Sequence, residues 1–415
     1  MDQKSLITND AVVAGILCGI LLLVFHTSNS ANRYWKKFYR FFPPILLCYF
    51  LPGLLNSFHI ISGETSGVYP FVSKYLLPAC LVYFTLSLDV KMLRMLGSKA
   101  LFVFFAGSLG IIVGGPVAAL IIKSLYPSVF AGTGADEVWR GLATIAGSWI
   151  GGGANQTALK EVFQPSPNLF SQMVALDVIV AEIWLALLLV GVGYNDRINQ
   201  WIKADPVMIH EIQEKLTADS LDKQKHPELY DYIKILAVGF VSTGMAYFLS
   251  DLITPFIKTN YPQLEQFSLT SGFFWVVSIV TLIGIILSRT SFRELEHVGA
   301  SKIGSLFLYI LIASIGMQMN LFAIADNPGL LWIGIIWILI HAVFVIAAAK
   351  LVRAPYFLMA VGSQANVGGA ASASVVAAAF HSSLVTIGVM MAVLGYAIGT
   401  YGGYLTAQLI RWVTT

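Results

Sequence analysis

Twelve long apolar stretches run through this chain, at roughly 8–27, 40–60, 71–92, 98–123, 139–163, 169–194, 232–256, 268–288, 302–321, 329–351, 354–380 and 383–411. Each is close to the ~20 residues that a helix needs to cross ~30 Å of hydrocarbon. Lipid offers nothing to a free backbone N–H or C=O, so such runs must satisfy their own hydrogen bonds. They lack the period-two alternation of barrel strands, which leaves helices. The expected fold is an all-α integral membrane protein. Charged residues make up 11% of the 415 residues and hydrophobic ones 57%. A soluble domain carries about 25% charged residues, so a soluble enzyme, a disordered chain and a nucleic-acid binder are excluded.

Charge placement orients the spans. Lys4 precedes the apolar run 11–25, no small-residue cleavage site follows it, and Arg33, Lys36, Lys37 and Arg40 come next. That pattern predicts a first span that is kept, with its basic loop inside. Further basic residues cluster in 91–99, in 289–302 and at Lys350 and Arg353, whereas 59–70, 124–138 and 322–328 contain no Lys or Arg. The positive-inside rule assigns the basic set to the cytoplasm. One long polar segment, 195–231, divides the chain into a first membrane unit 1–194 and a second 232–415. Cys18, Cys48 and Cys80 lie far apart inside apolar runs and match no metal spacing, so they are packing residues.

Two stretches look alike. Gly147-Ser-Trp-Ile-Gly-Gly-Gly-Ala-Asn-Gln156 and Gly362-Ser-Gln-Ala-Asn-Val-Gly-Gly-Ala370 each sit in an apolar run ending near a phenylalanine, Phe163 or Phe380. Aligning Gly152 with Gly368, and Asp89 with Asn320, needs one insertion, which the loop 124–138 supplies. A duplicated membrane protein is the natural reading. Gly151, Gly152 and Gly153 sit at the centre of their run, where each glycine costs roughly 1 kcal/mol against alanine in a helix. Asn155, Gln156 and Thr157 follow, and in the second copy Ser363, Gln364 and Asn366 precede Gly368 and Gly369. Polar residues beside paired glycines in corresponding places predict two broken helices whose unwound centres line a binding site.

Two carboxylates fall within the run 169–194, Asp177 and Glu182. A charge near the bilayer centre costs at least ~2.5 kcal/mol, so such residues earn a functional reading. Five residues apart on a helix, they point ~140° away from each other and cannot both face one site squarely. Asp177 is the candidate coupling-ion ligand, with neutral oxygens from Asn155, Gln156 and Gln364 able to complete a sodium shell. Glu182 is a structural or second-site residue. Asp251 lies near the end of its span, and His341, alone in the run 329–351, reads as a hydrogen-bonded packing residue. No Walker sequence, zinc spacing or nucleophile elbow is present, so an enzyme is not expected and transport would run on ion gradients or downhill flux.

The stretches Phe42-Pro-Pro-Ile-Leu-Leu-Cys-Tyr-Phe-Leu-Pro52, Tyr75-Leu-Leu-Pro, Leu86-Ser-Leu-Asp89 and the two glycine motifs resemble the bacterial membrane family known as domain of unknown function 819. The resemblance covers nearly the whole chain. It implies kinship with the cation:proton antiporter and anion transporter superfamily, which includes the bile acid:sodium symporters. It further implies inverted repeats, two crossing broken helices in a core domain, a panel domain that dimerises through 40–92 and 268–321, elevator-like movement, and a bacterial inner-membrane location. By position, Asp177 matches the span that carries the antiporters' ion-binding acids, and Asn155, Gln156, Gln364 and Asn366 match the polar residues beside the symporters' crossover. No adjacent Asp-Asp pair is present and the second motif has no carboxylate.

Two functions follow. One is sodium- or proton-coupled symport of a small organic anion, whose carboxylate suits paired half-helix N-termini. The other is cation:proton antiport without an organic substrate. One conflict stands within the sequence. The runs 139–163 and 354–380 are fifth and eleventh, an even separation that gives parallel repeats, yet the basic loops demand inversion. Either one stretch fails to cross or a crossing is hidden, most plainly between 165 and 256, and the expected number of spans is 11–13.

Overall fold

A computed structural model describes residues 5–39, 42, 44–63, 65–88, 97–204, 227–267, 269–319, 327, 329–381 and 384–415. Asp89, Asn320 and most of the polar segment 195–231 lie outside these residues. Among the described residues the chain is helical, with a single isolated bridge between Ile7 and Ile61. The helices are α1 (Asp10–Ser28), α2 (Arg33–Tyr39), α3 (Pro44–Ser57), α4 (Val68–Phe71), continued through a π turn (Val72–Leu76) into α5 (Leu77–Leu86), and α6 (Gly97–Leu125). Next come α7 (Val138–Phe163), α8 (Pro167–Val192), α9 (Asn195–Ile202), α10 (Leu229–Asn260), α11 (Gly272–Leu287) and α12 (Ala300–Gly316). The chain closes with α13 (Gly329–Val352), α14 (Tyr356–Val367), α15 (Gly369–Phe380) and α16 (Val385–Thr414). Six of these are each long and apolar enough to cross a membrane unaided.

Local chemistry sets the ends. Asn9 caps α1 by accepting from the amides of Ala11 (2.9 Å) and Val12 (3.3 Å). Ser166 caps α8, accepting from Leu169 N at 3.1 Å, and Pro167 takes the first helical position, where no amide is needed.

Contacts between ends fix the path. Asp10 accepts from Ser66 Oγ (2.8 Å) and Gly67 N (3.0 Å), and Asn56 Nδ2 donates to Met319 O (3.2 Å). Lys123 Nζ donates to Thr414 O (2.5 Å), and Gly329 packs on Val129. These residues share one face of the molecule. The opposite face gathers Leu86, Ile235, Leu295 and Ala300 in one apolar cluster, places Lys350 4.2 Å from the Trp201 ring, and bonds Tyr356 N to Asn199 Oδ1 (2.8 Å). Helices α6 and α13 run antiparallel between the faces: Gly107 meets Val345, Gly110 meets Phe344, and Gly114 meets Trp337. Small residues let these backbones approach closely.

The glycine breaks lie where the sequence places them, but they reverse the chain instead of only unwinding it. Within α7, Gly151 (φ −145°, ψ 15°) and Gly152 (φ 75°, ψ −178°) leave helical geometry. The two arms then lie side by side. Arg140 Nη1 donates to Phe163 O at 2.8 Å, the rings of Trp139 and Phe163 are 5.4 Å apart, and Ser166 N bonds Ala135 O at 2.8 Å. A continuous helix would hold residues 139 and 163 ~36 Å apart. Helices α14 and α15 form a second hairpin, with Phe380 edge-to-face against Phe357 at 5.4 Å and Tyr356 at 5.7 Å. The first hairpin opens on the Asp10 face and the second on the Lys350 face. Their physical cause is the left-handed conformation at Gly152 and at Gly369 (φ 68°), which residues with a Cβ rarely adopt.

Candidate functional site

The two hairpins meet at their tips. A Cβ on Gly152 would lie 3.9 Å from Gly369 Cα, so the two turns are in van der Waals contact. Structurally, Gly152 pairs with Gly369, one residue later than the register read from sequence, because these two carry the positive φ. Tyr396 of α16 lies over the junction: its hydroxyl accepts from Ala370 N at 3.3 Å and its ring stacks on Phe84 at 4.4 Å. Gly153, Gly368 and Ala370 are half-buried, and Gly153 looks toward Leu308 of α12. At the junction the first arms end in backbone carbonyls and the second arms begin with backbone amides, so carbonyl and amide dipoles converge at mid-depth.

Side chains fasten each hairpin to its neighbours. Asp177 of α8 accepts three hydrogen bonds from the first hairpin: Ser148 Oγ (2.6 Å) and Trp149 Nε1 (2.7 Å) from one arm, and Gln156 Nε2 (3.0 Å) from the other. Charge-assisted bonds of this kind are about twice as strong as neutral ones. Gln156 Oε1 also accepts from Tyr49 of α3 at 3.5 Å. Asn155 holds the turn itself. Its Nδ2 donates to Gly151 O (2.6 Å) and its Oδ1 accepts from Thr400 Oγ1 (2.5 Å).

In the second hairpin Ser363 Oγ accepts from Trp184 Nε1 of α8 (2.8 Å) and bonds His341 Nε2 (2.8 Å). The other ring nitrogen, Nδ1, faces Gly107 O at 2.9 Å. A carbonyl only accepts, so Nδ1 carries the proton and Ser363 donates to Nε2. His341 is thus the bonded packing residue expected of it. Asn366 Oδ1 accepts from Ser108 Oγ (2.6 Å), while its Nδ2 donates to Phe104 O (3.1 Å) and Gly362 O (3.0 Å).

The nominated sodium ligands have different surroundings. Asp177 and Asn155 direct their oxygens at separate donors, whereas Gln364, 1% exposed, has an Oε1 with no partner among the described residues. A buried acceptor left open costs about 1–3 kcal/mol, so the Gln364 oxygen calls for a partner such as an ordered water or a bound group. Glu182 is half-buried and makes no hydrogen bond or ion pair among the described residues. Those residues also contain no group of three or more His, Cys, Asp or Glu that could hold a metal ion.

Sequence reasoning passed over several contributors. Ser148, Trp149 and Trp184 carry no pattern that separates them from packing residues. Lys160 and Glu161 were visible as charges inside an apolar run. Lys160 Nζ donates to Tyr69 OH (2.6 Å) and Gln318 Oε1 (3.0 Å), and Tyr69 OH donates to Glu161.

A relative in Bacillus subtilis (strain 168), described as "Uncharacterized membrane protein YjcL", is 24% identical over 346 residues, covering 81% of this chain and 82% of its own length. The family model described as "Protein of unknown function (DUF819)" matches residues 15–413, nearly the whole chain. This multi-pass membrane protein belongs to that family.

Proposed function

We propose that the protein is a secondary active transporter that moves a small organic anion by alternating access, coupled to sodium or protons. One observation carries this reading: two helical hairpins enter from opposite faces and meet tip to tip at mid-depth, with glycine backbone, an open Gln364 oxygen and a half-buried Gly153 at the junction. Irregular backbone at membrane depth is tolerated only where protein or a cavity surrounds it. The second-arm N-termini at Gly153 and Gly369 suit a carboxylate, and the carbonyl ends of the first arms suit a cation. Gly151, Gly152, Gly153, Asn155, Gln156, Ser363, Gln364, Asn366, Gly368 and Gly369 form or support this junction.

Asp177 serves as the coupling acid. A proton or cation on its carboxylate withdraws negative charge from the bonds of Ser148, Trp149 and Gln156, so loading it loosens both arms of the first hairpin. Lys36, Lys99, Arg293, Lys302, Lys350 and Arg353 flank one face, which the positive-inside rule makes cytoplasmic. The second hairpin then enters from the cytoplasm of a bacterial inner membrane and the first from outside. Pairing as a homodimer through 40–92 and 268–321 would provide the static scaffold for an elevator movement. Glu182, half-buried and without a polar partner, favours the second reading, cation:proton antiport without an organic substrate.

A proteoliposome uptake screen of amino acids, dipeptides and carboxylates, with and without a sodium gradient and a pH gradient, tests the choice. Uptake of a carboxylate that follows either gradient is expected. Cation-driven proton movement with no solute uptake would select the antiporter instead.

A further inference from the structure

A polar cavity of about 950 Å³ lies at the mouth of the first hairpin, on the Asp10 face. Its wall includes Arg140 of the hairpin, Arg411 of α16, Lys258 of α10, Glu265, and Ser271 at the start of α11. Arg140 and Arg411 both lie against the Trp139 ring, at 4.8 and 5.0 Å. Glu137, 3.0 Å from Arg140 Nε, helps fix the first guanidinium. Glu161 also lines this cavity. Directly behind it is Lys160, whose side chain is 11% exposed and whose Nζ lies 3.6 Å from Glu161 Oε1. The Tyr69 hydroxyl donates to the same carboxylate, and the Lys160 ammonium sits 3.9 Å from the centre of the Tyr69 ring. A carboxylate held by an ammonium and a phenol, at the inner wall of a cavity rimmed by cations, is the arrangement of an occupied anion site. Here the occupant is the chain's own side chain.

We propose that this cavity receives a carboxylate-bearing solute and that Glu161 holds the place beside Lys160 which the solute's carboxylate takes. This rests on the reading of the solute as an anion, and it adds an entry site distinct from the hairpin junction. The chemistry is set by the group already there: two oxygens, one facing an ammonium and a phenolic hydroxyl. Displaced Glu161, 23% exposed at its side chain, turns toward water in the cavity and keeps its charge. Lys160 bonds Gln318 and Tyr69 across the boundary between the first hairpin and the α4–α5 and α12 segments. Exchange of carboxylates therefore alters the contact that joins the hairpin to those helices.

Succinate binding to the purified full-length protein in mild detergent, measured by calorimetry, tests this directly. Glu161→Gln removes the internal competitor and leaves Lys160 uncompensated, so succinate should bind at least about tenfold tighter than to the unaltered protein. Lys160→Met in the Glu161→Gln background should abolish the gain, and Lys258→Gln should weaken binding by about two- to threefold in a salt-dependent way.

Equal affinity in the unaltered protein and Glu161→Gln, or no succinate binding to a Glu161→Gln protein that elutes as a single species, overturns the proposal. Inorganic phosphate and nanodiscs of anionic phospholipid provide the comparison with a lipid headgroup. Succinate binding that survives in detergent but is lost in those nanodiscs would make a headgroup the occupant and remove the solute. An uptake screen that finds no transported solute, alongside tight succinate binding to Glu161→Gln, would remove the transport reading and leave the site standing.

Discussion

Three consecutive glycines at the first hairpin tip should respond to alanine in three different ways. At Gly153 a Cβ meets nothing closer than Leu308 Cδ1 at 3.9 Å and the backbone has no positive φ. Gly153→Ala should be neutral or stabilising by roughly 0.4–1 kcal/mol, through the lost freedom of the unfolded chain. Gly152 combines φ 75° with ψ −178°, a region essentially reserved for glycine, and its Cβ would press on Tyr396 Cε1 at 3.0 Å. That strain is worth about 1–3 kcal/mol. At Gly151 the Cβ would fall 2.6 Å from Gly395 O and 2.7 Å from Gly399 Cα, both backbone atoms of α16 that cannot rotate away. The cost should reach or exceed the upper end of the ~1–3 kcal/mol typical of overpacking. Thermal midpoints in mild detergent, followed by fluorescence-detected size exclusion at a fixed heating rate, would rank the three variants. The expected order is Gly153→Ala at or above the unaltered protein, then Gly152→Ala, then Gly151→Ala. A Gly153→Ala variant as damaged as Gly151→Ala, or a harmless Gly151→Ala, would refute the seating of this hairpin against α16.

Asp177→Asn puts an amide nitrogen against either Trp149 or the pair Ser148 and Gln156, so it should lower thermal stability by about 1.5–3 kcal/mol per charged hydrogen bond lost and uncouple uptake from the ion gradient; wild-type coupled uptake in that variant would move the role to Glu182. Gly152→Leu and Gly368→Leu should each abolish uptake in proteoliposomes while membrane insertion, read by fractionation, stays intact. Asn366→Leu should cost about 1–3 kcal/mol by removing its buried bonds to Ser108 Oγ, Phe104 O and Gly362 O, a loss visible as a lower thermal midpoint, and Ser108→Ala in the same chain should return little of it, because the Ser108 hydroxyl still reaches Phe104 O. In a chain with Cys18, Cys48 and Cys80 replaced, single cysteines at Thr133 and Gln164 should both react with an impermeant maleimide from one side, and cysteines at Arg353 and His381 both from the other. Opposite-side labelling within either pair would mean a crossing helix in place of a hairpin.

The sequence carries the helical class and the location of both breaks because each rests on a local property: apolar length or a glycine cluster no helix requires. Gly152 and Gly369 differ from Gly153 and Gly368 only in backbone torsion, which no residue letter states, and so the register between the two copies is displaced by one. The depth of Asp177 follows from its place in the α8 run, but its three donors come from residues 28, 29 and 21 positions away, on a helix whose reversal was unseen. Lys160 and Glu161 escaped for a related reason. On a straight helix they would lie toward a membrane surface as ordinary interfacial charges, whereas the folded-back arm sets them against Tyr69 and Gln318.

The reversal also removes the conflict over parity. A hairpin that returns to its own face contributes no crossing. Among the described residues of the first half, α1, α3, the α4–α5 rod, α6 and α8 pass between the faces; in the second half α10, α11, α12, α13 and α16 do. An odd number of passages in each half makes the second copy an inverted image of the first, as the basic loops require. Inversion then gives α8 a particular task. Asp177 holds the first hairpin and Trp184 holds the second, seven residues apart, which is two helical turns on one side and about 10 Å along the axis. Helix α8 therefore bonds both hairpins, as α16 does through Thr400 and Tyr396. Glu182 stands on the far side of α8, five residues and about 140° round from Asp177.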